Sequence, residues 1–388
     1  MRRSNRKASH NTAAVGFPDL PNHITCDILS RLPLNSIFTC RRVCKTWREL
    51  TLERYFAKLH LFRCPLSFIS YYKGTGKNSP SHFKIIQLHD PTDFGYHYAT
   101  TKFKTRIYFP FHVRNQIEMV ASCNGLILLA NYPSRDHFIV CNPLRAQHFT
   151  LPKPPLKSAP MTHYINCECF GFGFGHCTAT DQYKVLRYTP TITKGQTRLL
   201  EIDIYTLGID DEWRSLGETA PAPAILTLEL VFLNGALHWI GFQDSWLICY
   251  FDIEKEQFGS FPLPSHIGDA GKYLGVVDNR LYIRNEPFGV RKFWMMKDYG
   301  DFGSWTLECV VEEQLAGFLE PLNFLKDGSL LMSHIEEIAR NGPKDTSLAS
   351  YNPQTRVLKK INCDGLRLLW GATHAYVPCL FSPMDAWT

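Results

Sequence analysis

Two hydrophobic periodicities divide the chain. Between residues 20 and 61, apolar side chains recur at intervals of three and four, which is the spacing of one face of an α-helix. From about Phe62 the pattern changes to short alternating or continuous apolar runs separated by turn residues, which is typical of β-strands. The sequence therefore predicts an α+β chain by segment, in which a small helical part precedes a large all-β part.

Four short helices are predicted in the first segment. The apolar residues expected in them are, in order, Ile24, Ile28, Leu29 and Leu32, then Ile37 and Cys40, then Val43, Cys44, Trp47 and Leu50, then Tyr55, Phe56 and Leu59 up to His60. Pro21 fits a first helical turn and Pro33 ends the first helix. Asn35 or Ser36 is expected to cap the second helix, and Thr51 the fourth. Because so small a segment cannot bury a self-sufficient core, a partner is expected to cover part of its apolar surface.

The residues of this segment resemble an F-box. The resemblance lies in residues 17–24, 27–37 and 40–48, which contain a Leu-Pro opening, an Arg-Leu-Pro centre and an Arg-x-Val-Cys-Lys-x-Trp close. It implies docking on a Skp-type adaptor, which links F-box proteins through a cullin scaffold and a RING protein to ubiquitin transfer. An apolar helical surface entered through a proline also suits a groove on a partner. Residues 22–26 depart from the family pattern because they are less acidic and less leucine-rich.

The resemblance assigns roles to thirteen residues. Those implied to contact the adaptor are Leu20, Pro21, Ile24, Ile28, Leu32, Pro33, Ile37, Cys40, Val43 and Cys44. Those implied to pack inside the F-box are Leu29, Trp47 and Leu50. Trp47 fits either role.

Turn residues recur through the second segment. Turns are expected at Asn124-Gly125, Asn234-Gly235, Asp278-Asn279 and Asp327-Gly328, which are 110, 44 and 49 residues apart, and a unit without such a turn runs from 171 to 216. Asn-Gly and Asp-Gly favour tight hairpins because both central positions need positive φ. Repeats of this length, each with about four strands, are typical of propeller blades. With a further unit at 67–120 and closure by residues 374–379, a propeller-like domain of about six blades is predicted.

The second segment resembles the F-box-associated domain of the large plant F-box family. The resemblance rests on residues 122–126, 141–145, 171–174 with 181–185, 205–214, 232–239 and 251–252. It differs from kelch repeats, since the chain contains no Gly-Gly pair. The resemblance implies a platform that receives a protein substrate, without naming that substrate. The expected organisation is a basic disordered tail over 1–16, an F-box over 17–61 and a substrate-recognition domain over 62–388.

Charge and cysteine content narrow the setting in which the chain is expected to act. The formal net charge is +6, but Arg2, Arg3, Arg6 and Lys7 supply four of these charges, so a nucleic-acid partner is not favoured. The 13 cysteines are an odd number without a Cys-x-x-Cys pair, which predicts reduced thiols in the cytoplasm or nucleus. No apolar run reaches the 18 or so residues that a membrane span requires.

Motifs for catalysis or metal binding are weak. Gly171-x-Gly-x-Gly175 only superficially matches a dinucleotide loop, because strands follow it where a helix is needed. Residues 74–77 imitate the end of a phosphate-binding loop but lack its magnesium-binding hydroxyl. Ligand-forming residues cluster at Cys167, Cys169, His176 and Cys177, where packed hydrophobes are the favoured interpretation over zinc. Neither catalytic residues nor a cofactor or metal is predicted.

Tryptophans could grip a partner if the fold brings them to one rim of the propeller. Blade packing is the favoured role for Trp239, Trp246, Trp294, Trp305 and Trp370. The sequence thus predicts a non-catalytic, substrate-recognising subunit of an SCF-type (Skp, cullin, F-box) ubiquitin ligase. Two alternatives stay open: an F-box scaffold that does not lead to degradation, and a propeller that binds carbohydrate or acts as an enzyme.

Overall fold

The computed structural model divides the chain into two units after Cys64. It describes residues 20–64, 67–72, 82–88, 98–103, 116–132, 135–155, 171–192, 198–219, 224–225, 230–269, 272–287, 289–312, 318–336, 345–361 and 374–380. No helix in these ranges is long and apolar enough to span a membrane. The units are a helical unit at the beginning of the chain and a much larger β unit.

Four helices form the helical unit, as the spacing of its apolar residues predicts. They are α1 (Asn22–Leu29), α2 (Leu34–Cys40), α3 (Lys45–Leu50) and α4 (Arg54–Arg63). Two predicted caps are wrong: Pro33 precedes α2, and Glu53 precedes α4. Thr51 instead lies at the end of α3, where its hydroxyl donates a hydrogen bond to the Arg48 carbonyl at 2.9 Å. Its side chain is thus used by the preceding helix and not by the following one.

A small apolar centre holds the helices together. Its large apolar side chains are Leu29, Leu34, Ile37, Leu50 and Phe56, all at most 3% exposed. An ion pair on the surface adds a link between the first and last helices, because Arg63 Nη2 lies 2.6 Å from Asp27 Oδ1. Arg63 also donates to the Ser30 hydroxyl at 2.7 Å.

The described strands of the β unit form six antiparallel sheets. Sheet I contains β1 (Ser67–Tyr72), β2 (His82–Leu88), β3 (Tyr98–Phe103) and β25 (His374–Ala375), and sheet II contains β4 (Gln116–Cys123), β5 (Leu126–Tyr132), β6 (Phe138–Asn142) and β7 (Gln147–Thr150). Sheet III contains β8 (Gly171–Cys177), β9 (Gln182–Ile192), β10 (Arg198–Thr206) and β11 (Arg214–Thr219), and sheet IV contains β12 (Ala224–Ile225), β13 (Val231–Leu233), β14 (Ala236–Gln243), β15 (Ser245–Asp252) and β16 (Gln257–Pro262). Sheet V contains β17 (Lys272–Val277), β18 (Arg280–Asn285), β19 (Val290–Met296) and β20 (Trp305–Glu312), and sheet VI contains β21 (Phe318–Phe324), β22 (Leu330–Glu336), β23 (Asp345–Asn352) and β24 (Val357–Ile361).

Five of the sheets have four strands, and in sheet IV two short strands, β12 and β13, share the first position beside β14. The strand that stands first in the spatial order of each sheet contacts the corresponding strand of the next sheet. These first strands are, in succession, β25, β4, β8, β13, β17 and β21. Apolar clusters fill the spaces between sheets III and IV, IV and V, V and VI, and VI and I. Sheets arranged in this way around their first strands form a propeller, so the predicted all-β propeller class is confirmed.

The turn residues have the backbone geometry that their sequences predict, with one exception. Asn124 and Gly125 have φ of 46° and 83°, and Asn234 and Gly235 have φ of 49° and 77°. Both pairs therefore connect the first two strands of a sheet through a tight hairpin. The turn at Gly328 is not a two-residue hairpin: β21 ends at Phe324 and β22 begins at Leu330, so five residues connect them.

The glycines of β8 serve packing. A Cβ atom on Gly173 would lie 2.7 Å from the nearest Leu237 atom, and one on Gly175 would lie 2.2 Å from Ile253 Cδ1. Leu237 and Ile253 belong to the strands and turns of sheet IV, so the glycines let neighbouring sheets approach closely. This contact explains the repeated glycines without a dinucleotide.

Closure of the ring joins the two ends of the β unit, as predicted for residues 374–379. Strand β25 pairs with β1, with Ala375 opposite Phe68. The segment after β25 continues into contact with sheet II, where the Tyr376 hydroxyl donates to the Gly125 carbonyl at 3.0 Å. Asn142 donates to the Cys379 carbonyl at 2.8 Å, and both residues are buried. The last described residues of the chain therefore connect sheets I and II.

Candidate functional site

The first candidate surface lies on α1 and the residues before it. Leu20, Ile24 and Ile28 are 47%, 39% and 47% exposed; Ile24 and Ile28 lie one turn apart on one side of the helix, and Leu20 lies just before its start. The opposite side supplies the buried residues Cys26 and Leu29. Large aliphatic side chains exposed in a row cover an area that a partner could remove from water. We call Leu20, Ile24 and Ile28 the apolar row.

Apart from Pro21, which precedes α1, and Ile37, the other residues assigned to adaptor contact lie at or near the ends of α2. Val43 is 63% exposed and Cys44 is exposed, in the segment between α2 and α3. Pro21 and Pro33 are exposed, and Leu32 and Cys40 are partly buried. The Cys44 sulfur accepts a hydrogen bond from the Trp47 amide at 3.4 Å and so caps α3.

Ile37 differs from the other assigned residues. Its side chain is 0% exposed, so it belongs to the centre of the helical unit and presents no surface to an adaptor. The prediction that it contacts the adaptor is corrected for this reason. Helical spacing places Ile37 on an apolar face but does not report which helix covers that face. Leu29 and Leu50 are buried, as the packing assignment expects, and Trp47 is partly buried.

The second candidate surface is one end of the propeller. Strands alternate in direction within each sheet, so the second strand ends at the same end of the propeller as the fourth. The connections from one sheet to the next, and those from a second strand to a third, therefore leave from one shared end. The longest connections, residues 104–115, 151–170 and 362–373, all belong to this set. We call it the long-connection end. Binding residues concentrate in the connections between the elements of a rigid scaffold, which makes this end the candidate for target binding.

An aromatic cluster lies at the long-connection end between sheets IV and V. Phe242 and Trp246 pack edge to face with ring centroids 5.1 Å apart, and Phe242 is 42% exposed. The Trp246 indole donates to Asp269 Oδ1 at 3.0 Å. The Lys272 ammonium lies 3.7 Å from the Trp246 ring centroid, and burial lowers the pKa of this lysine. Trp246 packs against the cluster between sheets IV and V, as predicted for it, and it also lies at a rim of the propeller.

The other tryptophans divide as follows. Trp239 and Trp305 are each 4% exposed and lie in the clusters between sheets, which confirms their predicted packing role. Trp294 is partly buried at the edge of one of these clusters. Trp370 lies outside the described residues.

A buried arginine joins sheets V and VI near the same end. Arg284 is 1% exposed, ion-pairs with Glu320 and lies 3.2 Å from Glu286 through its Nε atom. Its guanidinium also stacks on Tyr273, 4.0 Å from the ring centroid. Tyr273 itself is 47% exposed. Two carboxylates thus compensate the buried charge while an aromatic face stays accessible to a partner.

Charged groups also connect sheets III and IV at the other end. Glu256 accepts from Lys184 Nζ at 2.8 Å and from Arg214 through both carboxylate oxygens, at 2.8 and 2.9 Å. The hydrogen bonds from Arg214, and the nearby Lys184, hold the pKa of Glu256 at about 2, against an ordinary value of 4.5. A bidentate arginine in a network is the ion-pair geometry that contributes to stability.

We expect the pairing of Glu256 to make stability depend on pH. Since folding lowers the pKa of this carboxyl, its contribution is complete above pH about 4.5 and disappears as the pH falls towards about 2. Glu256→Gln should lower the free energy of unfolding by at least about 1 kcal/mol near neutral pH and flatten its dependence on pH in this window. Denaturant titrations of both proteins across this window measure the effect.

Glu312→Gln is the matched control for this prediction. Glu312 pairs with Arg356 at 3.4 Å, but both side chains are more than half exposed, so the same substitution should change stability little. Equal losses in the two variants would contradict the role given to the Glu256 network.

Three titratable groups of the propeller, on His238, Cys249 and Cys309, are buried. His238 is fully buried, and burial lowers its pKa to about 4, while its ring lies 2.9 Å from the Tyr299 hydroxyl. Burial raises the pKa of both Cys249 and Cys309 to about 12, so these thiols stay protonated at neutral pH. Among the described residues, no three histidine, cysteine or acidic side chains are grouped as metal ligands. Cys167, Cys169 and residues 74–77 lie outside the described part.

Comparison with known proteins matches both units. The model of the F-box domain matches residues 17–58, and the model of the F-box associated beta propeller domain matches residues 97–382. The chain is 25% identical to F-box protein At3g07870 of Arabidopsis thaliana, covering 96% of this chain and 94% of the relative. It is also 24% identical to F-box/kelch-repeat protein At3g23880 of the same plant, covering 81% and 85%, and 25% identical to F-box protein At5g49610, covering 74% and 77%. Together with the propeller and its preceding helices, these matches show that the chain belongs to the plant F-box proteins that carry an F-box-associated β-propeller domain.

Proposed function

We propose that this chain is the substrate receptor of an SCF-type ubiquitin ligase. In this proposal the helical unit binds a Skp-type adaptor, and through it a cullin and a RING protein. The propeller binds a protein target. The F-box and propeller matches support a receptor role of this general kind.

The apolar row is the observation that carries the proposal. Ile24 and Ile28 are held at the surface by a folded helix whose other side is buried, and Leu20 is exposed just before it, so these side chains can pack into a groove without further folding of α1. Val43 adds a fourth exposed apolar side chain from the segment before α3. Aliphatic and aromatic contacts that become fully desolvated supply most of the affinity of such interfaces.

The mechanism is one of proximity. Holding the target and the ubiquitin-charged enzyme in one complex raises the effective concentration of target lysines near the reactive thioester. The chain itself then contributes binding energy, and the bond-forming residues belong to other subunits. Binding at the long-connection end would use the rigid propeller to fix the target's position.

Co-purification tests adaptor binding. Mixed with a panel of purified Skp-type adaptors and a cullin, the full chain is expected to recover an adaptor and the cullin, whereas the Leu20→Ala, Pro21→Ala double variant should recover much less, by at least about tenfold. The double change removes one side chain of the apolar row and the proline that fixes the start of α1. Undiminished recovery by the double variant would count against the assigned surface, and recovery of neither adaptor nor cullin by either protein would contradict the receptor role.

The half-life of a captured target separates degradation from scaffolding. If the complex transfers ubiquitin for degradation, depletion of this chain should lengthen the half-life of a protein bound by the propeller. An unchanged half-life would favour the scaffold alternative.

A further inference from the structure

A basic cleft opens on the helical unit beside the proposed adaptor surface. It has a volume of about 580 Å³ and lies between the end of α2 and the first turns of α3. Its lining residues are Phe38, Arg41, Arg42, Cys44, Lys45 and Arg48. Four of the six are cationic and none is acidic. We call these six residues the basic cleft.

Three cations of the basic cleft, Arg42, Lys45 and Arg48, have little negative charge beside them in the described helical unit. Lys45 lies 3.6 Å from Glu49, but both side chains are mostly exposed, so water screens this pair. Arg42 and Arg48 form no ion pair with any residue of the described helical unit. Residues 20–64 contain eight Lys and Arg against three Asp and Glu, so the surroundings add to the positive potential.

The cleft also has an apolar part. The Arg41 guanidinium lies 5.6 Å from the centre of the Phe38 ring, where it covers an aromatic face. Cys44 is exposed and belongs both to the basic cleft and to the surface assigned to the adaptor. A ligand of this cleft would therefore present negative groups to the arginines and an apolar side chain to Phe38 and Cys44.

We propose that an acidic segment of the Skp-type adaptor occupies the basic cleft. This inference rests on the proposed function and adds to it the chemistry of a second contact. Guanidinium groups bind carboxylates through paired hydrogen bonds, and Arg42 and Arg48 supply two such groups. Because Cys44 belongs both to the basic cleft and to the surface assigned to the adaptor, one partner that reaches Cys44 can enter the cleft. The apolar row then supplies affinity, while the basic cleft supplies orientation and a fast, salt-sensitive association.

Charge reversal in the full chain tests this contact. Arg42→Glu, Arg48→Glu should weaken binding of a purified Skp-type adaptor by about tenfold or more at about 50 mM salt, and the difference should shrink at about 500 mM because salt screens the charges. Arg42→Lys, Arg48→Lys keeps the charge and should retain most of the affinity. Calorimetric titration at both salt concentrations provides the dissociation constants.

Lys359→Glu, Lys360→Glu is the charge-matched control. Both lysines are exposed on β24 of the β unit and line no part of the basic cleft. An affinity lowered equally by this control and by the cleft variant would overturn the proposal, since a general change in net charge would then explain the loss. Circular dichroism and thermal melting of each variant establish that the helices are retained.

The outcomes distinguish the cleft from the receptor role. Adaptor binding that is unaffected by charge reversal, but lost on alteration of the apolar row, would overturn the cleft proposal and leave the receptor role intact. Failure of every adaptor to bind the unaltered chain would overturn both.

A labelled single-stranded oligonucleotide is the probe for the competing occupant. The proposal is wrong if the oligonucleotide binds the unaltered chain, if no adaptor displaces it, and if Arg42→Glu, Arg48→Glu abolishes its binding. The cleft would then be a nucleic-acid contact.

Discussion

Replacing Ile28 with aspartate is expected to abolish adaptor binding while both units stay folded. Ile28 is 47% exposed, so the folded chain tolerates a polar side chain there. In a complex the same position would be desolvated, and a carboxylate without a partner is costly in an apolar interface. A loss of more than about 3 kcal/mol, roughly a hundredfold or more in affinity, follows if the adaptor covers this exposed residue of the apolar row. Calorimetry with the adaptor recovered by co-purification measures it.

Phe62→Asp is the matched control for the apolar row. Phe62 is 89% exposed on α4, a helix that supplies none of the residues assigned to adaptor contact. The same aspartate there should leave adaptor affinity within about twofold of the unaltered chain. If Phe62→Asp abolishes binding and Ile28→Asp does not, the adaptor surface lies on α4 and the assignment to α1 is wrong.

Removal of residues 374–388 is expected to unfold the propeller. This segment supplies β25, which completes sheet I, and it buries Tyr376, Cys379 and Leu380 to 3% exposure or less. Burying three such side chains contributes roughly 5 kcal/mol, and removal also exposes the edge of β1. That loss is comparable with the whole stability of many domains. Loss of the cooperative thermal transition of the β unit, together with aggregation, is the expected result.

A shorter truncation separates closure from mere shortening of the chain. Removing residues 383–388 keeps β25, the Tyr376 hydrogen bond to Gly125 and the Asn142 hydrogen bond to the Cys379 carbonyl. The melting temperature of this truncated chain should stay within a few degrees of that of the full chain. A cooperative transition that survives removal of all of 374–388 would show that the ring closes without this segment.

Local signals were sufficient for the turns and most strands. The hairpins at Asn124-Gly125 and Asn234-Gly235 were predicted because positive φ at both positions is a local requirement that few residue pairs meet. The five-residue connection before β22 was not predicted. Its Asp327 carboxylate accepts from the Ser329 amide at 2.9 Å, a longer turn that the same Asp-Gly pair also permits.

The candidate surfaces could be predicted only in part. Family resemblance identified the apolar row, but it also included Ile37, which the other helices bury completely. Neither the basic cleft nor the place of Trp246 at the long-connection end was found from sequence, because each depends on residues that different elements bring together. Arg42 and Arg48 do stand close to each other in the sequence. The excess of positive over negative residues around them is the signal that could have indicated the basic cleft.

The sequence by itself determined the helical and β segments, the repeat length and the turns, since periodicity and turn chemistry act over a few residues. Only the tertiary structure decided which apolar side chains stay exposed: along α1, Cys26 and Leu29 are covered and Ile24 and Ile28 are not. Closure of the ring was likewise decided by contacts between distant residues, such as Asn142 and Cys379, 237 positions apart. A pattern of apolar residues reports that a face exists, whereas the elements packed on it determine whether the face becomes core or binding surface.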